Sequence, residues 1–554
     1  QKGSYIYSLK RSFLDFVIQS SGLMAIPKYW TSQGKFSYQL SPTQKLSLNM
    51  ISGIDEINIE GEDDPQLRNA ENVDYHSNQL TLGLTYKNLF SKKGYGILSL
   101  SGSRVGLNTD VYQYLKNGEK NQYYGQDDAE WEMALKGDWV YRINSNIETS
   151  FGFSAKSILL DYDNWWHGEP ENIYGYSLSV NESVRFISED DFWKNYFGHD
   201  SLRFESIGTF GHYDSVEIKN VLDFIKTGIF AQINVKPTAN IEITSGLRYE
   251  NVTYTGQGNV SPRLGLSYRF SPLLKFNISG GRYYQSPFNI HLNSNRGNTK
   301  LLKNYFADQW AGGVECFLSA DTRMTFEVYS KQYENIVGFD ILGGSDGRDS
   351  IDYQHLSNIG KGNSQGIELF IQKKYTRNWY GSFAWSHSIA EGVDPRNENK
   401  YAWDYDYGDV VTLVGGYKIR FIKYEWYQRH KETLLAKMTS WLPFAPADEY
   451  EIGVKLRYMG GRPFTPESYD HIIRDWYVNS NDAWNTERYN EYIRFDILLQ
   501  QRFNFKKMNL VAFWDIMNVF NRDNPWETVY LEDGTTEMAW QYKTFPVGGI
   551  ILEF

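Results

Sequence analysis

Cysteine is almost absent: Cys316 stands alone among 554 residues, which excludes internal disulfides and cysteine-built zinc clusters. Long apolar runs are missing too. No stretch approaches the roughly 18 consecutive apolar residues of a membrane helix, so a helical membrane protein is excluded. Proline is sparse, with 15 residues, and neither a Pro/Ser-rich linker nor a shift of composition divides the chain, so its length points to one large architecture. Basic residues are outnumbered 56 to 67 by acidic ones, and a net charge of −11 argues against nucleic acid as a partner. Catalytic constellations are lacking as well. The nine histidines are scattered, with no HExxH and no close pair, whereas a hydrolase needs a histidine set by a carboxylate beside a nucleophile. The glycines of Ser357–Gly366 (SNIGKGNSQG) lack the lysine and Ser/Thr that would cradle a phosphate. No enzyme activity, cofactor or metal site is expected.

What is abundant is aromatic: 42 Tyr, 32 Phe and 17 Trp, which suits girdles at two membrane interfaces. Period-2 alternation accompanies it. In Ile241–Glu250, Ile241, Ile243, Leu247 and Tyr249 share one face with Ser245, while Glu242, Thr244, Gly246, Arg248 and Glu250 take the other. Arg263–Phe270 sets Leu264, Leu266, Tyr268 and Phe270 against Arg263 and Arg269. Ile367–Gln372 sets Ile367, Leu369 and Ile371 against Glu368, with Phe370 an exception on the polar side. Arg494 and Asp496 continue the polar face, as do Lys455 and Arg457. The last residues, Phe545–Phe554, alternate Ile550, Leu552 and Phe554 against Gly549, Ile551 and Glu553 as a closing strand would. A soluble sandwich alternates too, so alternation alone does not decide between core and lipid.

Loop asymmetry decides. Short polar turns recur at Ser41–Gln44, Ser91–Gly94, Asn144–Asn146, Pro237–Asn240, Ser271–Leu274, Ser319–Thr322, Thr376–Asn378 and Asn504–Met508, separated by long segments rich in Asp, Asn, Gly, Tyr and Trp. Tight turns at one rim and long loops at the other mark an outer-membrane barrel. The expected fold is therefore all-β: a transmembrane antiparallel β-barrel over residues 1–554, with about 22 strands and both termini periplasmic. Short turns are periplasmic; Asp161–Asn172, Gly338–Gly360 and Pro466–Asn490 are external. A barrel of that size has a lumen too wide for side chains to fill, as in plugged transporters.

These residues carry a family resemblance. NVSPRLGLSYRF (Asn259–Phe270), KFNISGGRYYQSP (Lys275–Pro287), LLKNYFADQWAGGVE (Leu301–Glu315), SNIGKGNSQGIELF (Ser357–Phe370), GGRPFTP (Gly460–Pro466), YIRFDILLQQRF (Tyr492–Phe503), FWDIMNVFNRDNP (Phe513–Pro525) and the closing strand occur in the order found in TonB-dependent outer-membrane transporters of the Bacteroidetes type. Ser4–Ile18 resembles the family's first barrel strand. The resemblance implies active import of a scarce nutrient of the siderophore, cobalamin, oligosaccharide or peptide class, energised by an inner-membrane TonB complex. It also implies a plug domain, which is not in this sequence and is expected upstream or on a separate chain, and a surface lipoprotein as a further partner. Glu242, Arg248, Arg263, Arg269, Glu368, Arg494 and Asp496 are expected to face that plug. The rival readings are a passive plugless pore and a scaffold barrel of a larger outer-membrane complex.

Recognition is expected at the external loops. Asp161–Asn172 clusters Trp165, Trp166 and His167, and Asn397–Asp409 combines Trp403 and Tyr405 with Asp404, Asp406 and Asp409, while Tyr283 and Tyr284 end a strand at the external side. Aromatic rings can stack on a sugar or an aryl group; the plainer alternative is an interfacial girdle with a solvated acidic rim. The carboxylates offer hard oxygen ligands for Ca²⁺, but EF-hand spacing is absent. Two periplasmic connections exceed a turn: Ser188–Asp200 and the stretch 421–447. In the second, Tyr427, Leu434, Met438 and Trp441 recur at helical spacing beside Arg429, Lys431 and Lys437, which predicts a basic amphipathic helix on the inner leaflet or a partner-docking element.

Overall fold

The computed structural model describes residues 2–12, 25–59, 72–114, 120–167, 215–294, 297–343, 349–439, 445–470, 484–531 and 534–553, with the short pieces 171–177, 183–185, 204–210, 442 and 475–477. An antiparallel sheet of 21 strands dominates. One of them, Lys400–Ala402, is a three-residue piece paired only with the external end of Trp379–Val393, which leaves twenty staves. Successive staves pair with their sequence neighbours from Gly3–Arg11 to Phe545–Glu553, and every one of the eight short polar turns joins two of them. In the turn Thr376–Trp379, Arg377 and Asn378 take left-handed backbone, at φ 49° and 74°.

The register fixes which side chains face which way. Leu247, Leu264 and Ile278 lie 58, 60 and 56% exposed on the outward face, where lipid rather than water accounts for their exposure. Outward aromatics gather near the turns, with Phe36 stacked on Tyr38 and Trp139 stacked on Phe151, and again toward the external ends, where Trp30 and Trp310 are exposed. On the inward face Glu242 pairs in register with Ser267, Gly246 with Arg263, and Arg248 with Ser261. The facing expected from alternation therefore holds along these strands.

Two expectations change. The sheet of 21 strands agrees with the expected count near 22, but a periplasmic connection at Ser188–Asp200 was expected between two staves, whereas Ile147–His167 pairs directly with Ser215–Thr238 from His167↔Ser215 down to Ile147↔Val235. Both ends of the intervening excursion therefore lie at the external rim, and Glu171–Ser177, Ser183–Arg185 and Phe204–Phe210 form a small sheet of their own. Ser188–Asp200 itself lies outside the described residues.

The connection 420–448 is not one amphipathic helix but a folded foot: a 3₁₀ turn Phe421–Lys423 and two helices, Glu425–His430 and Leu434–Thr439, each of six residues. Tyr427 is not on its free face. It is buried against Phe421 and Trp426, and burial together with the Asp448 carboxylate raises its pKa. The foot docks on the outward face of the wall. There the fully buried Gln501 Nε2 donates to the carbonyls of Leu442 (2.8 Å) and Ala445 (2.5 Å), and Tyr450 and Leu499 are covered. Trp441 lies outside the described residues.

Candidate ligand-binding rim and lumen

The lumen wall is built by alternation, and its charges are handled in three ways. Some are paired within the wall. Glu242 accepts from Asn234 Nδ2 at 2.6 Å, Arg248 Nη2 donates to Glu250 at 2.7 Å, Lys156 Nζ to Glu132 at 2.9 Å, and Arg263 stacks over the Tyr283 ring at 4.4 Å. Others are bound into the fold. Asp496 is buried, accepts from Arg494 Nη2 at 2.9 Å and from the Asn518 backbone N–H at 3.0 Å, and thereby fixes the start of an external loop. Arg494 and Asp496 are thus engaged within the barrel rather than free for a plug. The third group is bare. Glu368 sits directly opposite Glu327, and Arg457 directly opposite Arg494. Among the described residues Glu327, Glu368 and Arg457 make no ion pair. Arg269 is exposed, facing the lumen near Glu242.

A strap that sequence reasoning missed covers part of this wall. Residues 286–294 leave the external end of Leu274–Gln285 and lie against the inward faces of Lys120–Arg142, Ile147–His167 and Ser215–Thr238, and residues 297–304 bond to Tyr254, Leu356 and Asn358. Leu292, on the short helix Asn289–Asn293, is fully buried among Ile158, Leu160, Tyr162, Phe224 and Val252. Polar bonds pin the strap along its length. Lys226 Nζ donates to Ser286 Oγ at 2.8 Å, Asn289 Nδ2 to Glu130 at 3.1 Å, Asn293 Nδ2 to the Asn220 carbonyl at 3.3 Å, and the Leu356 N–H to Asn298 Oδ1 at 3.1 Å. Its other side exposes Phe288, Ile290 and Leu301. An apolar patch on the inward face of five β-strand positions was the readable signal.

The rim candidates divide. Trp165 and Trp166 are neighbours on one strand and therefore face opposite ways: Trp165 lies over Gly125 on the outward face, while Trp166 shares the inward face with Tyr162 and Asn164. His167 ends that strand, paired with Ser215. Tyr283 faces the lumen; Tyr284 is on the opposite face beside Arg282, its ring 5.4 Å from Phe306. Trp403 packs on the lumen side of Gly362 and Gly392, where a Cβ at either position would run into its ring, and lies 5.4 Å from Tyr333. Tyr405 is 75% exposed. Sequence reasoning missed three rings here: Tyr333, and Tyr401 edge-on to Trp484 at 4.9 Å, with Arg396 stacked over Trp484 at 4.5 Å.

The acidic segment is a brace rather than a free rim. Asp404 accepts from Asn485 at 2.7 Å, Asp406 from Arg488 at 2.6 Å, and Asp409 from Trp385 Nε1 at 3.0 Å. Nearby, burial disfavours the Asp394 carboxylate, but the Arg396 guanidinium bound to it prevails and holds its pKa below the usual range. These bonds tie the external loops 394–408 and 460–491 together.

Comparison with known proteins agrees with this architecture. The family model described as "TonB dependent receptor-like, beta-barrel" matches residues 25–519. No curated protein matches the sequence. Among solved structures, the pyoverdine outer-membrane receptor FpvA from Pseudomonas aeruginosa is similar with a TM-score of 0.63 at 14% identity, covering 100% of this chain and 73% of that one. The outer-membrane transporter YddB from Escherichia coli gives 0.61 at 12%, covering 96% and 69%. The ferric-catecholate import receptor Fiu from E. coli K12 gives 0.60 at 12%, covering 100% and 77%. At these identities the likeness is one of fold.

Proposed function

The chain belongs to the TonB-dependent receptor-like β-barrel family of the outer membrane, and from that premise we propose that it is the wall of a gated importer for a scarce nutrient of the siderophore, cobalamin, oligosaccharide or peptide class. The observation that carries the reading is the bare charge on the inner wall. Glu327 faces Glu368 with neither in an ion pair among the described residues, and Arg457 is likewise unpaired, facing an Arg494 that Asp496 already holds. Like charges directly opposite are unfavourable in a sheet. Both signs left open suit a polar plug whose salt bridges form and break during transport.

In this reading the ligand meets the lumen-facing rings Trp166, Tyr283 and Trp403 and the exposed side of the strap, and a TonB-type transducer then remodels the plug. A surface lipoprotein at the external loops completes the partner set. The test is accumulation of a labelled candidate nutrient by cells making the full-length protein, with and without a protonophore that collapses the inner-membrane gradient. Accumulation lost with the gradient is expected. Equal accumulation in both conditions, or a large constitutive conductance of the full-length protein in planar bilayers, replaces the gated importer with the passive pore.

A further inference from the structure

Gly381 and Gly415 oppose each other on neighbouring strands, and both fall on the outward face by alternation with Phe383 and Leu413. Two paired outward positions without side chains recess the wall. The result is a groove of about 1240 Å³, walled by Ile371, Phe383, Leu413, Ile452 and Val454. It begins at the periplasmic rim, because Gly381 is only two residues, or about 7 Å, beyond Trp379 at the turn.

Cations mark that end. Lys373 lies over the Trp379 ring at 4.6 Å and is neutralised by Asp321 at 2.6 Å. Arg377, which also lines the groove, is exposed and makes no ion pair among the described residues. The groove's far bank continues into the foot: the next outward residue after Ile452 toward the periplasm is Tyr450, which the foot covers. The foot's free side exposes Leu434, Leu435 and Met438 at 74, 66 and 65%. An apolar channel at leaflet depth, ending in an unmatched guanidinium beside an interfacial tryptophan, has the chemistry of an acyl chain below a phosphate.

We propose that the groove binds one glycerophospholipid of the periplasmic leaflet. An acyl chain lies along Gly381 and Gly415, the phosphate meets Arg377, and Leu434, Leu435 and Met438 of the foot insert among the neighbouring chains. A soluble periplasmic protein has no use for an apolar groove that opens toward the bilayer, and a second barrel would leave Arg377 without an anion.

Native mass spectrometry of the full-length protein extracted in mild detergent reads the site directly. The wild type is expected to retain a phospholipid adduct. Gly415→Leu fills the recess, with Tyr380 O at 3.7 Å and Val454 Cγ2 at 3.8 Å from its Cβ, and is expected to lose the adduct about tenfold; Arg377→Glu, in an exposed turn, is expected to weaken it. Gly102→Leu, an outward glycine elsewhere on the wall, is the control and retains it. Adduct levels equal in all four proteins, or lost equally in the control, overturn the proposal. For the foot, a fluorophore at position 438 in a Cys316→Ser background is expected to be quenched by phospholipids brominated on their chains, and one at position 429 is not; equal quenching overturns the insertion of the foot.

Discussion

The inner wall carries two patches of opposite character, and the difference separates what the barrel completes for itself from what it leaves for a partner. Along Ile158, Leu160 and Phe224 the wall is apolar, and Leu292 of the strap already covers it. Along Glu327 and Glu368 the wall is charged, like-signed and bare. Burial of apolar surface is non-directional and needs no charged partner. A carboxylate pair is instead a site where a charge-assisted bond can be made and released. The strap thus completes the apolar patch from within the chain, while the acidic pair has no ion-pair partner among the described residues and, in the reading proposed above, is where a plug would dock.

The sharpest way to break this comparison is to loosen the strap. Leu292→Ala removes the one fully buried side chain that fills the apolar patch, at an expected cost of about 2–5 kcal/mol. Hydrogen exchange should accelerate across residues 289–302 while amides of Ile241–Val252 keep their protection. Unchanged exchange in the strap would mean that its polar pins, not Leu292, hold it.

A slightly smaller effect tests the facing on which both patches depend. Leu266→Arg places a guanidinium on the lipid side and should cost about 2–4 kcal/mol if it lies near the bilayer midplane. Ser267→Arg points into the lumen and should cost much less. Denaturant titration of the refolded barrel in vesicles measures both; equal penalties would invert the inward and outward assignment of this strand and its neighbours.

Much of this architecture was legible in the sequence because a barrel stave is a local object. Alternation in Ile241–Glu250 and the Ser271–Leu274 turn settle facing and direction without reference to distant residues, and every short turn expected from sequence joins two staves. What was not legible depends on contacts between remote segments. The strap is found only when Leu292 meets a wall forty or more residues away in the chain, and the excursion 168–214 looks like further staves until His167 is seen paired with Ser215. The acidic loop is a similar case: in a linear reading Asp404, Asp406 and Asp409 look like a solvated rim, whereas their partners Asn485, Arg488 and Trp385 come from other loops and strands. Helical spacing in 421–447 was real but divided, since Tyr427 turns inward against Phe421 while Leu434 and Met438 turn outward.

The smallest effect on stability carries the most information about the bare patch. Glu368→Gln removes one of two like charges directly opposite in the sheet, so the barrel by itself should gain a few tenths of a kcal/mol, up to about 1, and the gain should shrink in high salt. If the pair exists only as a tolerated local conflict, the same substitution in the full-length protein will be equally harmless. If Glu327 and Glu368 hold a cationic segment of a plug, the sign reverses: the full-length protein loses a charge-assisted bond and shows raised conductance in planar bilayers, while the barrel still gains stability. Opposite signs in the two measurements identify the patch as a docking point, and the same sign in both assigns it to the barrel alone.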